Sequence, residues 1–135
     1  MASVRRQIAI DADADFVWDA IRDFGAVHER VVRGFVVDCR LDGDARIVTF
    51  FSGNAQREPL VDLEDDARRL VYGAVDSPLG ATHYNASVQV FAEGQRSSRV
   101  EWVIDLLPDE LAPTLAQLMD RAAESMRTTL ARSEI

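Results

Sequence analysis

Two stretches in the last third of the chain alternate between apolar and polar residues, and a third stretch has helical spacing. Every second residue is apolar in the first two stretches, and this apolar set is Tyr84, Ala86, Val88, Val90, Val100, Trp102, Ile104 and Leu106. Period two predicts a pair of half-buried antiparallel strands. Beyond residue 113, the apolar residues at helical spacing are Leu115, Leu118, Met119, Ala122, Met126 and Leu130. Their spacing predicts a long amphipathic helix, which needs a broad surface such as a sheet to lie against.

The first two-thirds of the chain show the same alternation in shorter runs. It predicts strands over residues 4–10, 35–41, 46–52, 56–63 and 69–75. Asp13 is the predicted N-cap of a short helix that carries an apolar stripe and stops at Gly25. Residues 26–34 are predicted to form a loop with one helical turn. The sequence therefore predicts seven strands, with a short helical segment after the first and a long helix after the last.

Turn residues and one proline add detail to the strands. Asp42 and Gly43 lie between two predicted strands, which is a strong signal for a β-hairpin. Pro59 lies inside the fourth strand, and because proline cannot donate to a sheet ladder it predicts a bulge or an edge position there. The pattern does not decide which face of the third strand points to the interior. Either Ile47 and Phe51 or Val48 and Phe50 could be the inward-facing apolar pair.

Length, charge and cysteine content restrict the class of protein. The chain has 135 residues and a formal charge of −8, which predicts one domain, residues 1–135, and disfavours nucleic acid as a partner. We expect no integral membrane contact, because no apolar run approaches the about 20 residues that span a bilayer. A single cysteine and the lack of a signal peptide predict a cytoplasmic protein. The spacing of histidine, cysteine and acidic residues predicts no metal site, and no cofactor motif is present.

The order of these elements resembles the helix-grip fold of the START-like superfamily, also called SRPBCC or Bet v 1-like. Within that superfamily, the chain resembles the polyketide cyclase/dehydrase, or MxaD-like, branch. The residues that carry the resemblance are Phe16, Val17, Trp18, Gly43, Arg46, Gly53, Glu58, Leu60, Asp65, Leu70, Tyr72, Pro78, Tyr84 and Trp102. The chain departs from the pattern after the first helix, where similar proteins carry a Trp near a His-Pro and only His28 is present. The resemblance implies an α+β fold in which a seven-stranded curved antiparallel sheet wraps around the C-terminal helix.

A sheet that wraps around a helix in this superfamily encloses an apolar cavity, so the resemblance implies a site for a hydrophobic small molecule. Alternation predicts which side chains face it, and the predicted ligand-binding residues are Phe35, Val37, Leu60, Tyr72, Tyr84, Ala86, Val88, Trp102, Leu115, Met119, Ala122 and Met126. The alternative is that these side chains pack against one another and leave no cavity, because protein interiors are close-packed.

Three residues are candidates for proton transfer. Glu58 shares the parity of the interior residue Leu60, and Tyr72 lies on the next predicted strand. His28 is a third candidate, because an imidazole is a side chain suited to proton transfer near neutral pH and this one would overlook the mouth of a cavity. The alternative for Glu58 is a structural ion pair with Arg46 across neighbouring strands, and a bulge at Pro59 would turn Glu58 outward.

Three hypotheses of function follow from the sequence. The first is a protein that binds a lipid, a polyketide or a similar hydrophobic molecule without changing it. The second is a cyclase or dehydratase that uses Glu58 and Tyr72 for proton transfer, so the sequence leaves enzymatic activity undecided. The third is a protein-interaction domain without ligand. A homodimer is a further expectation, because Phe50 and Phe51 are predicted to point to opposite faces of the third strand.

Overall fold

The computed structural model describes residues 1–132 and contains seven strands and three α-helices. The strands are β1 (Ala2–Ile10), β2 (Val36–Asp42), β3 (Ala45–Phe50), β4 (Ala55–Glu64), β5 (Arg69–Gly73), β6 (His83–Gly94) and β7 (Ser97–Leu107). The helices are α1 (Ala14–Arg22), α2 (Val27–Arg30) and α3 (Ala112–Leu130). Single 3₁₀ turns precede α2, over Phe24–Ala26, and α3, over Asp109–Leu111.

All seven strands form one curved antiparallel sheet in the order β1-β7-β6-β5-β4-β3-β2. Its edges are therefore β1 and β2. Helix α3 packs across the concave side, and the side chains it buries are Leu115, Met119, Ala122, Ala123, Met126 and Leu130. The predicted helix-grip fold is confirmed, because both the alternating strands and the helical stripe bury their apolar positions between the two layers.

Helix α1 begins where the sequence predicts. The Asp13 side chain accepts a hydrogen bond from the backbone N–H of Phe16 at 3.1 Å, which caps the helix. The helix ends at Arg22, three residues before the predicted stop at Gly25, because a 3₁₀ turn follows it. The next segment forms the single helical turn α2, as predicted.

The β2–β3 hairpin is also confirmed, but the facing predicted for β2 is wrong. Gly43 has a φ of 60°, the left-handed region that glycine adopts without strain, and Asp42 pairs with Ala45 across the turn. The register between β2 and β3 shifts between Val36 and Asp38, which places Val37 in a bulge. As a result Val36 is buried, and Val37, predicted to face the interior, is 54% exposed.

The irregularity predicted at Pro59 lies further along the strand. Strand β4 is an interior strand, Pro59 pairs with Ala45, and the register shift falls between Leu60 and Asp62. The half of β4 before the shift therefore keeps its regular alternation, and Glu58 stays on the inner face. Beyond the shift the parity changes.

No helix within residues 1–132 is long and apolar enough to cross a membrane. The same part of the chain contains no cluster of three or more His, Cys, Asp or Glu side chains arranged to hold a metal ion.

Candidate functional site

A cavity of about 330 Å³ lies between the sheet and α3. It is large enough to fall in the range of about 300–1,000 Å³ that is typical of small-molecule sites. Most of its lining is apolar. The predicted ligand-binding residues that line it are Phe35, Tyr72, Tyr84, Val88, Trp102, Leu115, Met119, Ala122 and Met126. The structure therefore does not fill its interior by packing alone.

Three predicted ligand-binding residues do not line the cavity. Val37 is exposed because of the bulge in β2, and Leu60 is only half-buried beside the register shift in β4. Ala86 is fully buried, but it lies in the sheet between Tyr72 and Ile104, and its methyl group is too short to reach past them. The corrections have a common basis, since periodicity predicts which face a residue occupies and not how far its side chain extends.

One part of the cavity wall holds a buried ion pair. Arg46 and Glu58 are register partners on β3 and β4, and Arg46 Nε donates to Glu58 Oε1 at 2.7 Å. Gln56 Nε2 donates to the other carboxylate oxygen, also at 2.7 Å. Arg46 and Glu58 are each 5% exposed. The ion pair proposed as the alternative from sequence is thus present, and it lies inside the protein, on the cavity wall.

The Arg46 guanidinium has further partners around it. It lies over the Phe24 ring at 4.1 Å and over the Tyr72 ring at 4.9 Å, and its Nη1 donates to the Phe24 carbonyl oxygen at 3.3 Å. Both aromatic faces attract a cation. The positive charge of Arg46 is therefore compensated by protein groups before any ligand arrives.

Two tyrosine hydroxyls add neutral hydrogen-bonding groups to the same wall. Burial, and next the negative charge of Glu58, raise the pKa of Tyr72 well above its ordinary value of 10, while Arg46 and the indole of Trp102 act against the shift. Burial, followed by the neighbouring Tyr72, raises the pKa of Tyr84 in the same direction. Both phenols consequently remain protonated near neutral pH and can donate a hydrogen bond.

His28, the third candidate for proton transfer, does not lie with Glu58 and Tyr72. Helix α2 turns Val27 toward the cavity, and Val31 just after the helix follows on the same side. His28 follows Val27 directly on the helix and points in a different direction, so it does not line the cavity. Its Nε2 lies 3.4 Å from Glu29 Oε1. The structure thus brings together two of the three candidate catalytic residues.

Aromatic side chains line another part of the cavity. Phe35 packs against both Phe50 and Phe51, with ring centroids 5.7 and 5.6 Å apart, and the Arg121 guanidinium of α3 lies 3.8 Å from the Phe51 centroid. Val48 and Phe50 are the inward pair of β3, and Phe51 also lines the cavity because the strand ends at Phe50 and the chain turns. The expectation that the two phenylalanines face opposite sides is wrong, so the argument for a homodimer loses its basis.

Sequence reasoning missed several lining residues. Gln56 has the same parity as Glu58, so alternation could have found it. Val36 and Arg46 lie on strands β2 and β3, and Ile21 belongs to the apolar stripe of α1. Lining residues in loops or in the turn α2, where no period reveals their facing, include Val27, Val31, Val32, Pro78 and Leu79.

Comparisons with known proteins agree with this geometry. Residues 1–132 match the family model described as polyketide cyclase / dehydrase and lipid transport, which confirms the resemblance seen in the sequence. No curated protein sequence matches the chain significantly.

Several solved structures share the fold. The protein XoxI from Bacillus cereus is 20% identical over 96% of each chain, with a TM-score of 0.85. A START superfamily protein from Mycobacterium smegmatis is 12% identical, with a TM-score of 0.72 over 96% of this chain and 99% of that one. Norcoclaurine synthase from Thalictrum flavum, solved in complex with dopamine and hydroxybenzaldehyde, is 17% identical, with a TM-score of 0.67 over 98% of this chain and 89% of that one.

Proposed function

The chain belongs to the polyketide cyclase / dehydrase and lipid transport family, and on that premise we propose that it binds a hydrophobic small molecule between its sheet and α3. The observation that carries the proposal is the cavity of about 330 Å³ with its largely apolar lining. An apolar cavity of this size favours transfer of an apolar ligand out of water. A protein-interaction domain without ligand would have no need to keep such a space open.

The cavity lining can adapt to ligands whose shapes do not match the empty cavity closely. Met119 and Met126 of α3 are unbranched and can adapt their rotamers to a bound molecule. The polar side chains Arg46, Gln56 and Glu58 stand on the opposite wall. Apolar burial would supply most of the affinity, and the polar wall would set the orientation of the ligand.

The first experiment asks what the protein carries. Native mass spectrometry of protein purified from its own host should show a mass above that of the chain, and denaturing conditions should release a small organic compound. A second experiment uses a neutral fluorescent probe, 1-aminoanthracene, whose emission rises on transfer to an apolar site.

A blocking variant tests the place of binding. Ala122 lines the cavity, so Ala122→Phe should fill part of it and weaken probe binding at least about tenfold, while the folded state is retained because the added ring occupies existing space. Gln117→Phe, on the exposed side of the same helix, is the control and should leave binding unchanged. Equal binding by the two variants would place the probe outside the cavity and contradict the proposal.

A second candidate function is a cyclase or dehydratase acting on a polyketide-like substrate. The observation in its favour is that the Glu58 carboxylate and the Tyr72 hydroxyl line the same cavity. Binding without chemistry ranks first, because both Glu58 oxygens already accept hydrogen bonds from protein groups. Glu58→Gln should abolish cyclisation and leave ligand affinity within about threefold if Glu58 transfers protons; unchanged turnover would rule out that role.

A further inference from the structure

One polar group of the cavity wall has no hydrogen-bond partner, and it is the indole N–H of Trp102. Trp102 is 9% exposed and lines the cavity, yet its Nε1 meets no acceptor within residues 1–132. Indole is a donor only, and a buried donor without an acceptor costs free energy. The other tryptophan of the chain, Trp18, donates its Nε1 to Asp65 Oδ1 at 2.9 Å. The difference indicates that Trp102 lacks a partner that a ligand would bring.

A second donor, the Tyr72 hydroxyl, lies near this N–H. The indole of Trp102 acts to lower the pKa of Tyr72 against the effect of burial, as a nearby donor does, although no hydrogen bond joins the two groups. The two residues are on β5 and β7, separated by β6, where Tyr72 pairs with Ala86 and Trp102 pairs with Val88, two positions further along the strand. Two neutral donors therefore occupy diagonal positions across β6 on the cavity wall.

The charge of the site restricts the ligand further. Glu58 neutralises Arg46 at 2.7 Å, and the remaining polar lining residues in the sheet, Gln56, Tyr72 and Tyr84, are uncharged. Among the residues that line the cavity, a ligand carboxylate would lose its hydration without meeting an uncompensated cation, and a ligand ammonium would meet no free carboxylate. The site thus favours a neutral ligand.

The volume of the cavity limits the size of the ligand. A cavity of about 150 Å³ accepts benzene, and the present cavity is about 330 Å³. A ligand with roughly twice the volume of benzene, such as a two-ring aromatic compound, therefore fits, whereas a long-chain lipid would extend out of the cavity.

We propose that the ligand is a neutral aromatic compound of about two rings that carries a carbonyl group, and that its carbonyl oxygen accepts hydrogen bonds from Trp102 Nε1 and from the Tyr72 hydroxyl. A carbonyl oxygen has two acceptor lone pairs, which matches these two donors. This inference rests on the proposed binding function and specifies the chemical class of the ligand.

Three naphthalenes of similar size test the proposal in competition with 1-aminoanthracene. 2-Acetylnaphthalene carries the carbonyl, 2-isopropylnaphthalene replaces it with a hydrocarbon of similar shape, and 2-naphthoate replaces it with a charge. The ketone should bind about tenfold more tightly than the hydrocarbon, which is the effect of about one buried hydrogen bond, and more tightly still than the carboxylate.

Variants connect the preference to the residues. Trp102→Phe should abolish most of the preference for ketone over hydrocarbon, and because the ratio compares two ligands on one variant, the loss of indole volume largely cancels. Tyr72→Phe should reduce the ratio partly and serves as a second test if Trp102→Phe folds poorly. Trp18→Phe is the matched control, since Trp18 lies outside the lining and its indole is already bound to Asp65, so the ratio should persist.

An independent readout is the indole proton resonance of Trp102 in NMR spectra. The chain has two tryptophans, so Trp18→Phe assigns the signals. The ketone should move the Trp102 signal downfield, and the hydrocarbon should not.

The outcomes separate this inference from the proposed function. Equal binding of ketone and hydrocarbon, or tightest binding of 2-naphthoate, would overturn the carbonyl inference and leave hydrophobic binding intact. Failure of all three naphthalenes and of 1-aminoanthracene to bind would contradict the proposed function itself, and with it the inference.

Discussion

The two halves of the sheet present different chemistry to the same cavity. Strands β5, β6 and β7 contribute apolar and aromatic side chains in regular alternation, among them Leu70, Val88 and Ile104. Strands β3 and β4 contribute the polar group Arg46, Gln56 and Glu58, in addition to Val48 and Phe50. The β5–β7 half provides surface that favours an apolar ligand together with the neutral donors of Tyr72 and Trp102, and the β3–β4 half provides a charge-compensated group of polar side chains. This asymmetry would orient a ligand, which a uniformly apolar cavity cannot do.

The halves also differ in what holds them together. In the β5–β7 half, apolar burial stabilises the fold. In the β3–β4 half, two charges have been taken out of water, and their attraction compensates this only while both are present. Variants that remove one group from each half should therefore have unequal consequences.

The largest effect is expected at the ion pair. Glu58→Leu leaves the buried Arg46 without its carboxylate and should lower the free energy of unfolding by about 3–5 kcal/mol, measured by urea denaturation. Asp42→Ala breaks the exposed pair with Arg57 and is the control, with an expected loss below about 1 kcal/mol. The double variant Arg46→Met, Glu58→Leu should recover most of the stability. A loss for Glu58→Leu no larger than that of the control would show that the pair is hydrated in solution.

The next prediction compares the loss of unfolding free energy for a substitution in the packed core with that for the same substitution on the cavity wall. Leu106 of β7 is fully buried outside the cavity lining, so Leu106→Ala should cost about 3 kcal/mol. Leu118 of α3 lines the cavity and is only half-buried, so the same substitution there should cost about 1 kcal/mol, because less surface leaves an apolar environment. Thermal and urea unfolding of the two variants measure the difference. Equal losses would mean that the cavity is closed in solution.

The regular half of the sheet is also the part that sequence reasoning described best. The pairing of β6 with β7 runs without a shift from His83 to Ala92, so period two predicts every facing correctly. At the start of β2, Phe35, Val36 and Val37 are three apolar residues in succession, and alternation alone cannot tell which of them occupies the bulge. A bulge depends on pairing with the neighbouring strand, which the local pattern does not contain.

The sequence predicted most of the residues at the candidate site, but it did not predict how much empty space they enclose. Ala86 and Ala122 both lie at apolar positions of their patterns, yet only Ala122 lines the cavity. Core residues and lining residues have the same composition, because both avoid water, so an internal space leaves no periodic signal. The unpaired N–H of Trp102 was equally hidden, since it depends on side-chain geometry.

High pH tests the tyrosines where the two halves meet. Because the pKa of Tyr72 is raised in the folded protein, the folded state holds its proton while the unfolded chain loses it above pH 10. Stability is therefore fully present below pH 10 and falls as pH rises, by up to about 1.4 kcal/mol per pH unit for one tyrosine. Urea denaturation between pH 9 and about pH 11 should show a smaller slope for Tyr72→Phe than for the original chain. Identical slopes would mean that the Tyr72 hydroxyl ionises as freely in the folded state as in water.

The smallest effect is expected at the bulge of β2, on the outer side of the polar half. Val37 is 54% exposed and Val36 is buried, although the sequence alternation had placed Val37 inside. Val37→Ser should change the free energy of unfolding by no more than about 0.5 kcal/mol, since it removes little buried surface. Val36→Ser is the matched substitution and should cost about 2 kcal/mol, because it buries a hydroxyl and removes apolar contact with the core. A larger cost for Val37→Ser than for Val36→Ser would contradict the bulge. It would indicate that β2 alternates regularly and that Val37 faces the cavity.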